Sequence, residues 1–121
     1  MEKKKTLVLG ASINPSRYSF LAINKLLAYG HPVVGIGRDV GNVNGVEITK
    51  ETPAMDDIDT VTLYLNPKNQ EPYHDYILSL KPKRVIFNPG TENDELEIKL
   101  KENGIEPVIA CTLVMLSVGQ Y

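Results

Sequence analysis

Apolar residues in this chain fall into short blocks, each closed by a polar, Gly- or Pro-containing break. The first block, Thr6–Leu9, is β-branched and apolar and predicts a strand buried on both faces. Gly10 breaks it. From Ser19 the period changes: Phe20, Ile23, Leu26 and Leu27 share one helical face, with Asn24 and Lys25 opposite. Ser16 or Ser19 is placed to cap this helix through its hydroxyl, and Gly30 to stop it. His31-Pro32 makes a turn into a second buried strand, Val33–Ile36. Residues 6–36 therefore predict a βαβ unit with a right-handed crossover.

The alternation continues. Residues 40–44 are rich in Gly and Asn and read as loop, and Val46-Glu47-Ile48 as a short extra strand. Residues 60–65, TVTLYL, predict a strand closed by Asn66-Pro67. Residues 71–80 predict a helix with Tyr73, Ile77 and Leu80 on one face and Pro72 confined to its first turn. Arg84–Phe87 is a strand stopped by Asn88-Pro89-Gly90. Leu96, Ile98 and Leu100 alternate as a strand would, but the end signals favour a helix. Thr91 and Asp94 have capping-box spacing, Lys99 and Lys101 suit a last turn, and Gly104 follows. A last strand at 107–110 and a short apolar helix at 113–118 complete the chain. No repeat or linker interrupts it, so residues 1–121 read as a single domain.

Strands alternating with helices at this spacing predict a parallel, doubly wound, three-layer α/β sheet. Such sheets bind ligands beyond the carboxyl ends of their strands, where strand order reverses. Here those ends carry Gly10–Arg17, Gly37–Asp39, residues 65–68, residues 88–91 and Cys111-Thr112.

Composition narrows the ligand. The 121 residues carry a net charge of −2, which gives no basic footprint and argues against nucleic acid. No apolar run approaches the roughly 20 residues that cross a bilayer, so no membrane role is expected. The basic start, Lys3-Lys4-Lys5, reads as a solvated lead-in rather than a signal segment. The single cysteine, Cys111, offers neither an internal disulfide nor a metal cluster. A cytoplasmic protein is expected. A protein partner or a homo-oligomer is left open.

The first loop reads G-A-S-x-N-P-S-R rather than GxGxxG. A strand that runs through a glycine turn into a helix start presents unpaired N–H groups and a positive dipole end. Ser12, Ser16 and the fork of Arg17 add donors for phosphate oxygens; a well-turned loop with a surface arginine would read the same way. Arg38 sits where dinucleotide folds read the ribose. An arginine there suits a phosphorylated ribose, as in coenzyme A or NADP, though Asp39 beside it could simply pair with it. Asn66-Pro67 and Asn88-Pro89-Gly90 place rigid backbone at the same edge, or serve only as turns that lead into helices.

Catalytic candidates are few. His31 lies in a Gly-His-Pro turn away from the strand carboxyl ends and reads as structural. His74 and Asp75 are helix neighbours that do not face each other. Ser12 lacks a base. Cys111 reads as a small buried residue, or as a thiol meeting the sulfur of a ligand.

The motifs Gly10-Ala11-Ser12, residues 14–19 (NPSRYS), Asn66-Pro67 and residues 88–91 (NPGT), with Cys111 near the end, resemble the small stand-alone CoA-binding proteins of bacteria and archaea. These are similar to the CoA-binding domain of the succinyl-CoA synthetase alpha subunit. The resemblance implies a Rossmann-like domain that binds coenzyme A by its nucleotide end. Carried over, Gly10, Ser12, Arg17 and Ser19, within a loop that includes Ala11 and Asn14, would hold the phosphates. Arg38 would meet the 3′-phosphate, although the family's usual Asn-Pro-Lys is Gly37-Arg38-Asp39 here. Leu65, Asn66 and Pro67 would border the adenine or pantetheine, beside Asn88, Pro89 and Gly90. The synthetase's phosphorylated histidine belongs to a second domain outside this pattern, so no ligase reaction is implied. The alternatives are an NADP-dependent oxidoreductase and a protein-interaction module on a degenerate nucleotide fold, with 113–118 as its contact face.

Overall fold

A computed structural model of the protein describes residues 2–121. Seven strands form one sheet: β1 Thr6–Leu9, β2 Val33–Ile36, β3 Gly41–Val43, β4 Val46–Thr49, β5 Thr60–Leu63, β6 Arg84–Phe87 and β7 Glu106–Ile109. Their order is β3-β4-β2-β1-β5-β6-β7, and every pair is parallel except β3 with β4. From β1 the chain moves to β2 on one side and later returns to β5 on the other. The order therefore reverses at β1.

The period of two along each strand sends side chains to opposite faces and builds two cores. On one face, Leu7, Leu9, Val61, Leu63, Val85 and Phe87 pack with α3 (His74–Leu80) and α4 (Asp94–Glu102). On the other, Val8 and Ile86 pack with Ile23 and Leu26 of α1 (Tyr18–Ala28) and Leu116 of α5 (Thr112–Ser117). This is the three-layer, Rossmann-like α/β arrangement that the alternation predicts. No helix among the described residues is long and apolar enough to cross a membrane.

Several elements differ from expectation, each for a local reason. Residues 40–44 are not all loop: Gly41–Val43 is a strand that hairpins with β4. The turn is Asn44-Gly45, both with positive φ (50° and 94°), the geometry that right-twisted two-stranded ribbons favour. The strand from Thr60 stops at Leu63. The helix expected over 71–80 begins earlier and breaks in three: α2 (Pro67–Gln70), a 3-10 turn (Glu71–Tyr73) and α3. Pro72 has no N–H to continue the ladder, and its ring crowds the carbonyl four residues back. Neither Ser16 nor Ser19 caps α1. Arg17 holds the N-cap position with no side-chain bond, and Ser19 is buried at the second helical residue. Thr91 does not cap α4 either. Asn93 does, accepting from the Leu96 N–H at 3.1 Å, while the Thr91 hydroxyl donates to the Asn88 carbonyl at 2.8 Å.

Candidate nucleotide-binding site

Register fixes the site. Leu9 pairs with Ile36 and Leu63, Leu63 with Phe87, and Phe87 with Ile109. The residues that follow, Gly10, Gly37, Tyr64, Asn88 and Ala110, thus leave the sheet along one carboxyl edge. Every candidate site residue belongs to a segment that starts in this row.

The loop after β1 is held from beneath. The N–H groups of Gly10 and Ala11 both donate to the Ile36 carbonyl at 2.9 Å, and the Tyr64 N–H donates to the Leu9 carbonyl at 2.9 Å. Gly10 therefore gives no donor to a ligand. It gives room: its φ is 95°, and a Cβ there would stand 2.9 Å from the Tyr64 carbonyl carbon and 3.0 Å from Leu65 Cγ. The loops after β1 and β5 touch at this point, which is the reversal point of the sheet.

Beyond Ala11 the loop ties itself into a compact turn. The Asn14 N–H donates to Ser12 Oγ at 3.0 Å, and Asn14 Oδ1 accepts from both the N–H and the hydroxyl of Ser16. The Arg17 N–H donates to the Asn14 carbonyl at 3.0 Å. The N–H groups of Ser12, Ile13, Tyr18 and Ser19 have no partner among the described residues. Two of them open α1, whose first turn carries no acidic residue and no side-chain cap. The contrast is α4, capped by Asn93 and carrying Asp94, Glu95 and Glu97 in its first turn. The α1 end thus leaves its dipole and donors open to an outside anion; α5 also lacks a side-chain cap and a first-turn acid, but its Thr112 N–H is taken by Asn88 Oδ1.

Arg17 and Arg38 are exposed, and their guanidinium groups make no bond among the described residues. Arg38 forms no ion pair with Asp39. The neighbouring turns are more committed. Asn66 Oδ1 accepts from the Asn69 N–H at 2.9 Å and caps α2, with Pro67 as its first residue. Leu65 is half-buried against the α3 side of the sheet. Asn88, 3% exposed, donates to Thr62 Oγ1 at 2.7 Å and to the Leu63 carbonyl at 2.8 Å, and it accepts from the Thr112 N–H at 2.9 Å. Its amide is spent on the fold. Pro89 and Gly90 after it are exposed.

Two residues that shape this edge, Gln70 and Gly41, carry no mark in the sequence pattern, and a third, Gly37, is marked there only as a strand end. Gln70 is fully buried, and its amide nitrogen donates to the carbonyls of Leu65 at 2.8 Å and Thr91 at 2.7 Å. It sits in a stretch whose polar neighbours gave it no contrast. Gly37 and Gly41 press on the β1 loop. A Cβ at Gly37 would fall 2.1 Å from the Ala11 carbonyl oxygen, and one at Gly41 would fall 2.5 Å from Ile13 Cγ2.

A shallow depression of about 200 Å³ lies beside this edge, lined by Pro67, Lys68, Glu71, Asn93 and Glu95. Two carboxylates against one ammonium make it a poor seat for phosphate. Cys111 is half-buried and precedes α5. Burial, and then the nearby Cys111, raise the pKa of Tyr64, so its hydroxyl keeps its proton at neutral pH. His31 is buried at the opposite end of the sheet, where Nδ1 accepts the Lys4 N–H at 3.0 Å and the ring packs on Tyr121. His74 Nδ1 lies 3.2 Å from Lys99 Nζ, on the α4 side. No cluster of metal-ligating side chains is present among the described residues.

A mostly parallel sheet with an uncapped helix start at its reversal point defines a Rossmann-like α/β domain. The chain belongs to the CoA binding domain family, whose model matches residues 4–117. A crystal structure of an uncharacterized protein is 58% identical, with all of both chains covered and a TM-score of 0.98. A hypothetical protein from Pyrococcus horikoshii OT3 is 27% identical over 96% of this chain and 83% of its own, with a TM-score of 0.86. An acetyl-coenzyme A synthetase from Ca. Korarchaeum cryptofilum shares the fold, at 21% identity over 86% of this chain and 25% of its own, with a TM-score of 0.68. No curated protein matches the chain.

Proposed function

We propose that this domain binds coenzyme A, or an acyl-CoA, by its nucleotide end, and that its function is recognition. The observation that carries the reading is the α1 start: N–H groups at Ser12, Ile13, Tyr18 and Ser19 and the Arg17 guanidinium that have no partner among the described residues, with no side-chain cap and no acid in the first turn. These donors fit a pyrophosphate. Gly10, Ala11 and Asn14 shape the loop that presents them, and the Ser12 hydroxyl still has its proton to give. Arg38, at the end of β2 and without a partner among the described residues, fits the phosphorylated ribose. Leu65, Asn66 and Pro67 border the remainder, and Pro89 and Gly90 leave exposed backbone beside it while Asn88 holds that turn in place. Membership of the CoA binding domain family supports the same ligand. With Tyr64 protonated and both histidines away from the loop, the side chains at this edge supply binding rather than acid–base chemistry.

An NMR-monitored titration with CoA tests the reading. Amide shifts concentrated at residues 10–19, 38 and 64–67 are expected. Shifts confined to the depression around Glu71 and Glu95, or none at all, contradict it.

A further inference from the structure

The segment from Gly37 to Gly41 lies flat against the β1 loop, and two missing side chains allow it. The Gly37 N–H is bonded to the Thr49 carbonyl at 2.9 Å, so the segment is anchored to β4. At one end a Cβ would meet the Ala11 carbonyl oxygen, and at the other the Cγ2 of Ile13. The hairpin of β3 and β4 holds Gly41 through its pairing with Ile48. Arg38 is carried between the two contacts. Ala11 and Ile13 in turn flank Ser12, whose N–H is one of the unpartnered donors.

We propose that Gly37 and Gly41 are positioning residues that seat Arg38 against the phosphate loop, so that one ligand reaches both. The inference rests on the nucleotide reading above and adds the element that sets its spacing. Neither glycine touches the ligand. Each acts through a loop residue: Gly37 through Ala11 and Gly41 through Ile13. Ile13 is β-branched and stiff at χ1, and the atom at risk is attached directly to its Cβ. A methyl group at position 41 therefore shifts the loop or the hairpin and cannot be absorbed by a flexible tip. A larger gap between loop and Arg38 loses one phosphate contact while the other is kept. The signature is then a loss of preference for CoA over dephospho-CoA, beyond any loss of affinity.

The contact also defines its own repair. The same added Cβ would stand 3.7 Å from Ile13 Cβ, an ordinary contact. Removing the Ile13 branches makes room for the new methyl group. Ile13 is 44% exposed, so Ile13→Ala leaves the core intact.

The test is calorimetric titration of the unaltered chain, Gly41→Ala, Ile13→Ala and the double variant with CoA and with dephospho-CoA. The expected result is a CoA preference reduced about fivefold in Gly41→Ala, the scale of an overpacked contact, and restored in the double variant. Gly41→Ala that does not fold, but recovers fold and preference when Ile13→Ala is added, gives the same support. An unchanged preference in a folded Gly41→Ala overturns the proposal while leaving the CoA reading intact, as does a loss that Ile13→Ala fails to repair. If the unaltered chain binds no CoA, both readings fall together, and that arm alone shows it.

Discussion

The side-chain amide of Gln70 donates to the carbonyl of Thr91 at 2.7 Å, across the gap between the segments that follow β5 and β6. The same nitrogen donates to Leu65, and the Gln70 Oε1 accepts from the Asn93 amide at 2.9 Å. One buried residue thus satisfies three groups on two segments. Gln70→Ala leaves two carbonyls without this donor in a buried setting and is expected to destabilise the fold by about 1–3 kcal/mol. Urea unfolding gives the value. Faster amide exchange at residues 91–96 would show that the effect runs through this brace.

Asn88 makes the sharper test of a polar group committed to the fold. Asn88→Asp keeps the acceptor for Thr112 but turns both amide bonds, to Thr62 Oγ1 and the Leu63 carbonyl, into contacts between acceptors or with a lone hydroxyl. A buried carboxylate facing a carbonyl costs several kcal/mol or takes up a proton. A large fall in the urea midpoint at pH 8, smaller at pH 5, is the expected outcome. An Asn88→Asp variant whose loss of stability is the same at both values contradicts the buried network.

Much of this architecture was legible in the sequence because its causes are local. The blocks Thr6–Leu9, Val33–Ile36 and Arg84–Phe87 carry their own period, and the loop Gly10–Arg17 follows the first of them. Other features depend on partners far along the chain. Gln70 looks like any polar residue until Thr91, 21 positions later, is placed beside it. Gly37 reads as a strand end and Gly41 as a loop residue until Ala11 and Ile13 are placed against them. The hairpin at Asn44-Gly45 is a different case: its signal was local, and a Gly- and Asn-rich composition masked it. Gly10 and Ala11 lie in the loop expected to hold phosphates, but Ile36, brought alongside by the βαβ crossover, takes both of their N–H groups.

Stability is expected to fall as the solution is acidified from pH 7.5 toward 5. Burial, and then nearby lysines, lower the pKa of both His31 and His74 from the ordinary value of 6.5. Both are neutral in the folded and unfolded chain above that value, and stability is then at its full level. As pH drops through 6.5 the unfolded chain takes up protons first, and stability is lost until the folded groups also protonate. For His74 the cost is evident, since Nε2 is buried with no hydrogen-bond partner among the described residues. Asp57, held low by its bond to Lys5, acts in the other window: its contribution is present above about pH 3.8 and is lost below it. Urea midpoints across this range check the slope, and His74→Gln should flatten it.

The two arginines should separate in their effects. Arg17 stands at the α1 start and Arg38 at the end of β2. Arg17→Ala is expected to weaken CoA and dephospho-CoA alike, by about tenfold, the scale of one charge-assisted bond. Arg38→Ala is expected to weaken CoA by a similar factor and to leave dephospho-CoA unchanged. Equal losses for both ligands in both variants would remove the assignment of Arg38 to the phosphorylated ribose.

The most direct measurement is calorimetric titration of the unaltered chain with CoA, dephospho-CoA, NADP and NAD. Binding of CoA that weakens when the 3′-phosphate is absent, with NADP and NAD far weaker, is the expected result. Clear binding of NADP with none of CoA at high micromolar concentration contradicts it.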